Sequence, residues 1–323
     1  MSAARGYWVD APGRGSLRDV ELPDETAGTV TLRATLSGVS PGTERLVGLG
    51  RVPASCHQTM ACRGMLGSFA LPVLYGYSFV GHVERGEHAG RRAFVMRPHQ
   101  TRAVVDQHEL RWLPDDVPDA RATLFPNLET ACNAAWDAAP ASGDRVVVVG
   151  AGAVGLLVSF ALSREHDGEV VVVDSSPQRV AFAQQLPWVQ RACAPADVAE
   201  GTFAHAIHST TSSAGLQLAI DAVGFEGVVT ELSWYGEDAV TVQLGGSFHH
   251  QRKRIQASQV ASVAPSHRQA GYGARAERVL QWLADERLDA LHGDAIPFDG
   301  LPQAMADVYA GTARDVCPVV RYG

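Results

Sequence analysis

Residues 145–165 read RVVVVGAGAVGLLVSFALSRE, and this stretch decides the fold. Val146 to Val149 form an apolar run with no polar alternation, which suits a strand buried on both faces. Glycines follow at 150, 152 and 155, after which Val154, Leu157, Val158, Ala161 and Leu162 recur at helical spacing. Strand, glycine turn and helix in that order open a doubly wound α/β unit. The first glycine makes a tight turn, the second lets a pyrophosphate approach the backbone, and the third allows close packing of helix on strand. The next apolar run, EVVVVD, ends in Asp174, nineteen residues beyond Gly155, where a carboxylate can accept hydrogen bonds from adenosine ribose hydroxyls. Gly150, Gly152, Ala153, Val154, Gly155 and Asp174 together predict a nicotinamide-dinucleotide site with its phosphates at the helix N-terminus. Asp174 repels a 2′-phosphate and so favours NAD, whereas a guanidinium at Arg179 could hold that phosphate and leaves NADP open.

Beyond this stretch, PQRVAFAQQL predicts a helix with proline at its start, and FAHAIHS (203–209), GVVTELSW (227–234) and VTVQLGG (240–246) predict further strands. Strands alternating with helices imply a parallel sheet covered on both faces. The N-terminal portion differs. TVTLRATL (29–36) alternates apolar and polar residues as a half-buried strand does, and short β-like runs recur between turn signals such as APGRG and SPGTE. From about residue 275 the pattern is helical again (ARAERVLQWLADERL) and ends in a strand, VCPVVRY. The expected organisation is a β-rich domain over residues 1–118, completed by 275–323, and a dinucleotide-binding domain over 119–274.

The chain has 323 residues, more than a single core of ~250–300 residues accommodates. Hydrophobic residues make up 46% and charged residues 19%, the profile of a globular protein, and a formal net charge of −8 argues against general binding to nucleic acid or an anionic membrane. The N-terminus shows no secretory pattern, and no apolar run approaches a membrane span. Five cysteines, an odd number mostly far apart, are expected to be reduced thiols in a cytoplasmic protein. Cys56, His57 and Cys62 fall close together in SCHQTMAC, but no fourth zinc ligand stands near them.

With a β-rich segment first, the nucleotide motif in the middle and a return segment at the end, the whole chain resembles the medium-chain dehydrogenase/reductase (alcohol dehydrogenase-like) superfamily. That resemblance implies a GroES-like catalytic domain joined to a Rossmann domain, with substrate in the cleft between them. Many members hold a catalytic zinc through a Cys in a G-x-C-G-x-D motif, a His in a G-H-E motif and a third ligand at the start of the connecting helix. This sequence departs at each place. Gly38-Val-Ser-Pro-Gly-Thr-Glu44 puts Ser40 or Pro41 at the cysteine, Tyr75-Gly-Tyr-Ser78 puts Tyr77 and Ser78 at the histidine and glutamate, and Phe125 or Pro126 falls at the third position. Hydroxyls are poor zinc ligands beside thiolate, imidazole and carboxylate. G-V-S-P-G-T-E resembles the G-V-N-P-x-D of zinc-free quinone oxidoreductases, and GRVP (50–53) with YGYSFVG (75–81) is similar to the bacteriochlorophyllide a dehydrogenases.

Without a metal, hydrogen-bond donors must stabilise the charge on the reacting oxygen during hydride transfer. Tyr77 leads by position, with Ser40 and Thr43 next; the alternative for each is ordinary packing or turn bonding. The resemblance implies further cofactor contacts. They are Thr130 on the connecting helix beside the nicotinamide, Ser209 and Thr210 after the fourth strand at the adenosine, Ser233, Trp234 and Tyr235 after the next strand flanking the nicotinamide, and Ser258 and Gln259 near the sheet edge, also toward the nicotinamide. The expected activity is a zinc-independent hydride transfer between NAD(H) and a secondary alcohol or ketone. A quinone- or enoyl-type C=C reductase and a non-catalytic dinucleotide-binding sensor or scaffold are the alternatives. The expected partners are a small-molecule substrate and a second copy of the chain, joined along the Rossmann sheet edge at GVVTELSW and VTVQLGG.

Overall fold

The computed structural model describes residues 4–323. The chain forms two compact units, one from the segment up to Pro126 together with Trp282–Gly323, the other from Asn127–Gln281. The first unit begins with β1 (Ala4–Ala11), β2 (Arg14–Val20), β3 (Thr29–Gly38), α1 (Pro41–Gly48), β4 (Leu66–Gly67), β5 (Val73–Leu74) and β6 (Phe79–Val83). It continues with β7 (Arg92–Val95), β8 (Arg102–Asp106), β9 (Arg111–Trp112) and α2 (Asp119–Ala122), and α3 (Phe125–Ala138) leads into the second unit.

The second unit contains β10 (Val146–Val149), α4 (Ala153–Glu165), β11 (Val170–Val173), α5 (Pro177–Gln185), β12 (Arg191–Cys193), β13 (Phe203–His208), α6 (Ser213–Ala222), β14 (Val223–Glu231), α7 (Ser247–His250) and β15 (Arg254–Ala257). Helix α8 (Gly271–Leu283) returns the chain to the first unit, which closes with β16 (Ile296–Pro297), α9 (Leu301–Ala310) and β17 (Val319–Arg321).

In the first unit, β3 is the organising strand. Val30, Leu32 and Ala34 are buried while Arg33 is exposed, so the alternation in TVTLRATL sets which face packs inward. It pairs antiparallel with β6, β8 and β17, and the match of Val320 to Ser37 shows the C-terminal segment completing this sheet. A second sheet runs β2-β1-β5-β4. Because β3 and β6 are neighbours, the turn after β3 and the segment before β6 lie side by side, with the Gly38 N–H bonded to the Ser78 carbonyl at 2.9 Å.

In the second unit a fully parallel sheet runs β12-β11-β10-β13-β14-β15, the strand order 3-2-1-4-5-6 of a dinucleotide-binding fold. Each valine of β10 is 3% exposed or less, as expected of a central strand covered on both faces. Helix α4 buries Leu156, Leu157, Val158, Phe160, Ala161 and Leu162. Serines cap the other crossover helices: Ser176 accepts the Arg179 N–H at the start of α5, and Ser212 accepts the Gly215 N–H at the start of α6.

One expectation fails here. VTVQLGG forms no strand, and GVVTELSW is not the sheet edge; it lies within and just beyond β14, one strand in from the edge, and β15 is outermost. The reason is local bonding. The Thr241 N–H bonds Ser213 Oγ at 3.0 Å and the Gln243 N–H bonds Gln217 Oε1 at 2.7 Å, so residues 240–246 run along α6 with amides satisfied by helix side chains instead of a ladder. Val242 and Phe248 pack on the core from there. In the basic stretch HHQRKR (249–254), Lys253 is buried and its ammonium bonds the Ile220 carbonyl at the end of α6 at 2.8 Å.

Candidate functional site

The glycine turn after β10 is shaped for close approach. Gly150 has φ +116°, in the left-handed region, and a Cβ there would lie 2.8 Å from Ser209 Oγ and 2.9 Å from Thr210 Cγ2. A Cβ on Gly155 would stand 1.8 Å from the Gly150 carbonyl oxygen, so α4 can sit against the turn only with glycine in that position. Gly152 differs: a Cβ there would meet only Arg179 Nη1, at 3.5 Å, leaving the mouth of the turn open beneath a guanidinium. Gly152 is also the N-cap of α4 and supplies no capping side chain, so the N–H groups of the first turn, including those of Ala153 and Val154, face that opening. This cradle fits a pyrophosphate.

Asp174 follows β11. Its Oδ2 accepts the Ala151 N–H and its Oδ1 the Ser176 N–H, both at 2.8 Å, which ties the carboxylate to the glycine turn while each oxygen keeps a lone pair. The side chain is half-buried, which suits contact with ribose hydroxyls.

Across the turn, the ends of β13 and β14 carry a bonded cluster. His208 Nδ1 lies 2.8 Å from Glu231 Oε2, and Nε2 lies 2.7 Å from Thr210 Oγ1. A carboxylate only accepts, so Nδ1 carries a proton and donates to Glu231, while Nε2 accepts from the Thr210 hydroxyl in a neutral ring and donates to it in a protonated one. Glu231 also accepts the Tyr235 hydroxyl at 3.0 Å and the Ser233 N–H at 2.7 Å, and Ser233 Oγ accepts the Thr211 N–H at 3.2 Å. Burial pushes the Glu231 carboxyl up, but its bonds to His208 and Ser233 outweigh this and hold it below the usual carboxylate range. Burial, together with Glu231, raises the Tyr235 phenol.

The remaining cofactor candidates are placed differently. Thr130 is half-buried on α3, and Trp234 is half-buried after β14. The Ser258 hydroxyl engages Asn133 at 3.5 Å and also bonds Asp137, and Gln259 Oε1 accepts the Ala261 N–H of its own loop at 2.5 Å. Both serve local structure.

In the first unit the three hydroxyl candidates come together. Ser40 ends the turn after β3 and is the N-cap of α1, Thr43 lies in the first turn of α1, and Tyr77 precedes β6. Burial raises the Tyr77 phenol strongly; bonds from Ser40 and Thr43 pull the other way, as when both hydroxyls donate to the phenol oxygen, and the Glu44 charge adds to the rise. Tyr77 is therefore a neutral phenol, with the Ser40 and Thr43 hydroxyls beside its oxygen. Ser78 is buried and donates to the Thr123 carbonyl at 2.6 Å.

Sequence reasoning missed what lies behind these hydroxyls. Glu44 Oε1 accepts the Ser40 N–H at 2.8 Å, and Oε2 accepts from His99 Nε2 at 2.9 Å. His99 Nδ1 meets Ser37 Oγ at 2.7 Å, and Ser37 meets the Tyr322 hydroxyl at 2.8 Å. A buried histidine 55 residues from its carboxylate leaves no local pattern; the one available signal was Glu44 itself, a charge in an otherwise neutral turn. Cys56, His57 and Cys62 do not converge. His57 bonds the Val52 carbonyl and Cys62 bonds Tyr75, and among the described residues no three His, Cys, Asp or Glu side chains are grouped to hold a metal.

Several known proteins share this architecture. A 2R,3R-butanediol dehydrogenase from Bacillus subtilis superposes with a TM-score of 0.78 at 19% identity, covering 98% of this chain and 99% of its own. An Escherichia coli alcohol dehydrogenase complexed with NADH gives 0.77 at 16%, over 99% and 100% of the two chains. A Sinorhizobium meliloti chain named as a zinc-binding dehydrogenase, bound to NADP, also gives 0.77 at 16% over 99% and 100%. The chain shares the fold of these dehydrogenases, a GroES-like unit and a Rossmann unit. Among curated sequences, an L-threonine 3-dehydrogenase from Mesorhizobium japonicum is 34% identical over 83 residues, 26% of this chain. The matched stretch spans about a quarter of that relative's length, 24%. No family model matches the chain.

Proposed function

We propose that this protein is an NAD(H)-dependent oxidoreductase that moves hydride between the nicotinamide and a secondary alcohol or its ketone, using hydroxyl groups instead of zinc to stabilise the substrate oxygen. The observation that carries the cofactor assignment is the Gly150 turn, closed by Asp174 and open only at Gly152. NADH and NADP complexes in proteins of this fold support a nicotinamide dinucleotide. Asp174 favours NAD; Arg179, beside Gly152, is the residue that would hold the extra phosphate of NADP.

Hydride transfer needs the oxygen partnered as its charge changes and a path for its proton. Tyr77 donates to that oxygen, and Ser40 and Thr43, donating to the phenol oxygen, stabilise the charge that develops on Tyr77 as its proton shifts. The residues at the family's zinc positions do not fit a zinc ion, since Ser40, Tyr77 and Ser78 offer hydroxyls and Ser78 is committed to a backbone carbonyl. Five free cysteines suit a reducing compartment such as the cytoplasm. A second copy of the chain is the proposed partner, meeting along β15, where Ile255 is 39% exposed on the outermost strand.

The test follows absorbance at 340 nm with a panel of alcohols, ketones and activated enones, NAD(H) against NADP(H), with and without a strong chelator. Turnover of an alcohol–ketone pair, unaffected by chelator, is expected. Loss of turnover on chelation with recovery on added zinc would overturn the metal-free part, and turnover of enones alone would move the activity to C=C reduction.

A further inference from the structure

The pair formed by His208 and Glu231 lies at the carboxyl ends of adjacent parallel strands and has no part in the chemistry described above. We infer that this pair sets how strongly the site prefers oxidised over reduced nicotinamide, in a pH-dependent way. The inference rests on the dinucleotide assignment of the Gly150 turn.

In a doubly wound sheet the ligand lies outside the carboxyl ends of the strands and crosses where the strand order reverses, here between β10 and β13. Asp174 takes the adenosine end on the β11 side, which directs the nicotinamide end across the sheet toward the end of β14, where Glu231 stands. Two observations show that this place is built. His208 is fully buried with both ring nitrogens engaged, and Thr210, which it bonds, packs where a Gly150 Cβ would be. Glu231 retains 14% side-chain exposure, so its charge is not sealed off.

Oxidised nicotinamide carries a positive ring charge that the reduced form lacks, whereas the phosphates are common to both. A carboxylate near the ring therefore favours the oxidised form. With His208 neutral the pair carries one negative charge; with His208 protonated it carries none. Every element packed on the imidazole bears on this balance. From β14 comes Glu231 and from the following loop come the Ser233 hydroxyl and the Tyr235 phenol, which stays neutral and contributes only a dipole. From the start of α6 come Ser212, through Thr210, and Gly215, whose absent side chain leaves Nε2 to Thr210. Among the described residues Glu231 is the one charged group bonded to the ring. Protonation also reverses the Thr210 bond, since an imidazolium donates at Nε2 where the neutral ring accepts.

One unit charge acting across a partly exposed site is expected to change the ratio of the two affinities about three- to tenfold. The test is calorimetric titration of the full chain with NAD⁺ and with NADH at intervals from about pH 6 to pH 8.5. The same titrations are run on Glu231→Gln and Asp174→Ala, with thermal midpoints as a check on folding. The preference for NAD⁺ should rise with pH in the wild type, and Glu231→Gln, one charge less negative in either state of His208, should lower it at every pH. If the wild type binds both forms and Asp174→Ala weakens both, but the ratio is independent of pH, the inference falls and the dinucleotide assignment stands. If the wild type binds neither form, both fall. Should Glu231→Gln not fold, the wild-type pH series decides alone.

Discussion

The two buried histidine–glutamate pairs have the same chemistry and different surroundings. His99 and Glu44 lie 2.9 Å apart with side chains 1% and 4% exposed, and His208 and Glu231 lie 2.8 Å apart at 0% and 14%. The first pair is bonded on through Ser37 to Tyr322 and fastens the backbone of Ser40 at the start of α1. The second stands where a parallel sheet presents its carboxyl ends, with its carboxylate shared among a ring, a phenol and an amide. A sealed carboxylate can serve only its neighbours; one with surface left can also act on a ligand.

The largest expected contrast is in stability. Glu44→Ala strands His99 and the Ser40 N–H in a buried setting, and breaking a buried pair from one side costs about 3–5 kcal/mol. That corresponds to a thermal midpoint lower by on the order of 10 °C. Glu44→Gln should lose much less, because an amide can still accept from Ser40 and donate to a His99 carrying its proton on Nδ1. Glu231→Ala should fall by less than half as much as Glu44→Ala, since water can reach part of what is exposed. Equal losses in differential scanning fluorimetry would break the comparison.

Next in size is the effect on turnover. The sealed pair supports the hydroxyl cluster from behind through Ser40, and in the proposed mechanism the cluster carries the chemistry. Tyr77→Phe should lower kcat by about 10²–10³-fold, the scale of losing one donor to a developing oxyanion, with NADH affinity unchanged. Unaltered kcat would remove Tyr77 from the mechanism and leave the first pair purely structural.

The two regions also differ in how far the sequence revealed them. The second unit was legible because its signals are local: four consecutive valines, three glycines at fixed offsets, and an acid at the end of the next strand all act within thirty residues. Asp174, Gly150 and Gly155 stand where that spacing requires. The edge was misplaced because VTVQLGG has strand alternation, and only the three-dimensional neighbourhood shows its amides bonded to Ser213 and Gln217. In the first unit, Ser40, Thr43 and Tyr77 could be nominated from the resemblance, yet what supports them could not. Ser37, Glu44, His99 and Tyr322 come from three separated parts of the chain, and pairing between distant segments leaves no periodicity to read.

The smallest expected effect is on acid stability, at the second pair. Because the Glu231 carboxyl is held below its usual range in the folded protein, it contributes stability that is fully present above the unfolded value, about 4.3, and is lost as pH falls through the folded value. Glutamine does not titrate, so the difference in thermal midpoint between the wild type and Glu231→Gln should shrink as pH is lowered from about 6 to about 3.5. Burial also lowers the His205 and His292 imidazoles, one in each unit. Their contribution is present above the unfolded histidine value, about 6.5, and begins to be lost at higher pH than that of the carboxylates. It is common to the wild type and the variant and cancels in the difference. A difference that grows on acidification would mean that Glu231 gains a proton on folding instead of giving one up, and the shared-carboxylate picture of the second pair would have to be abandoned.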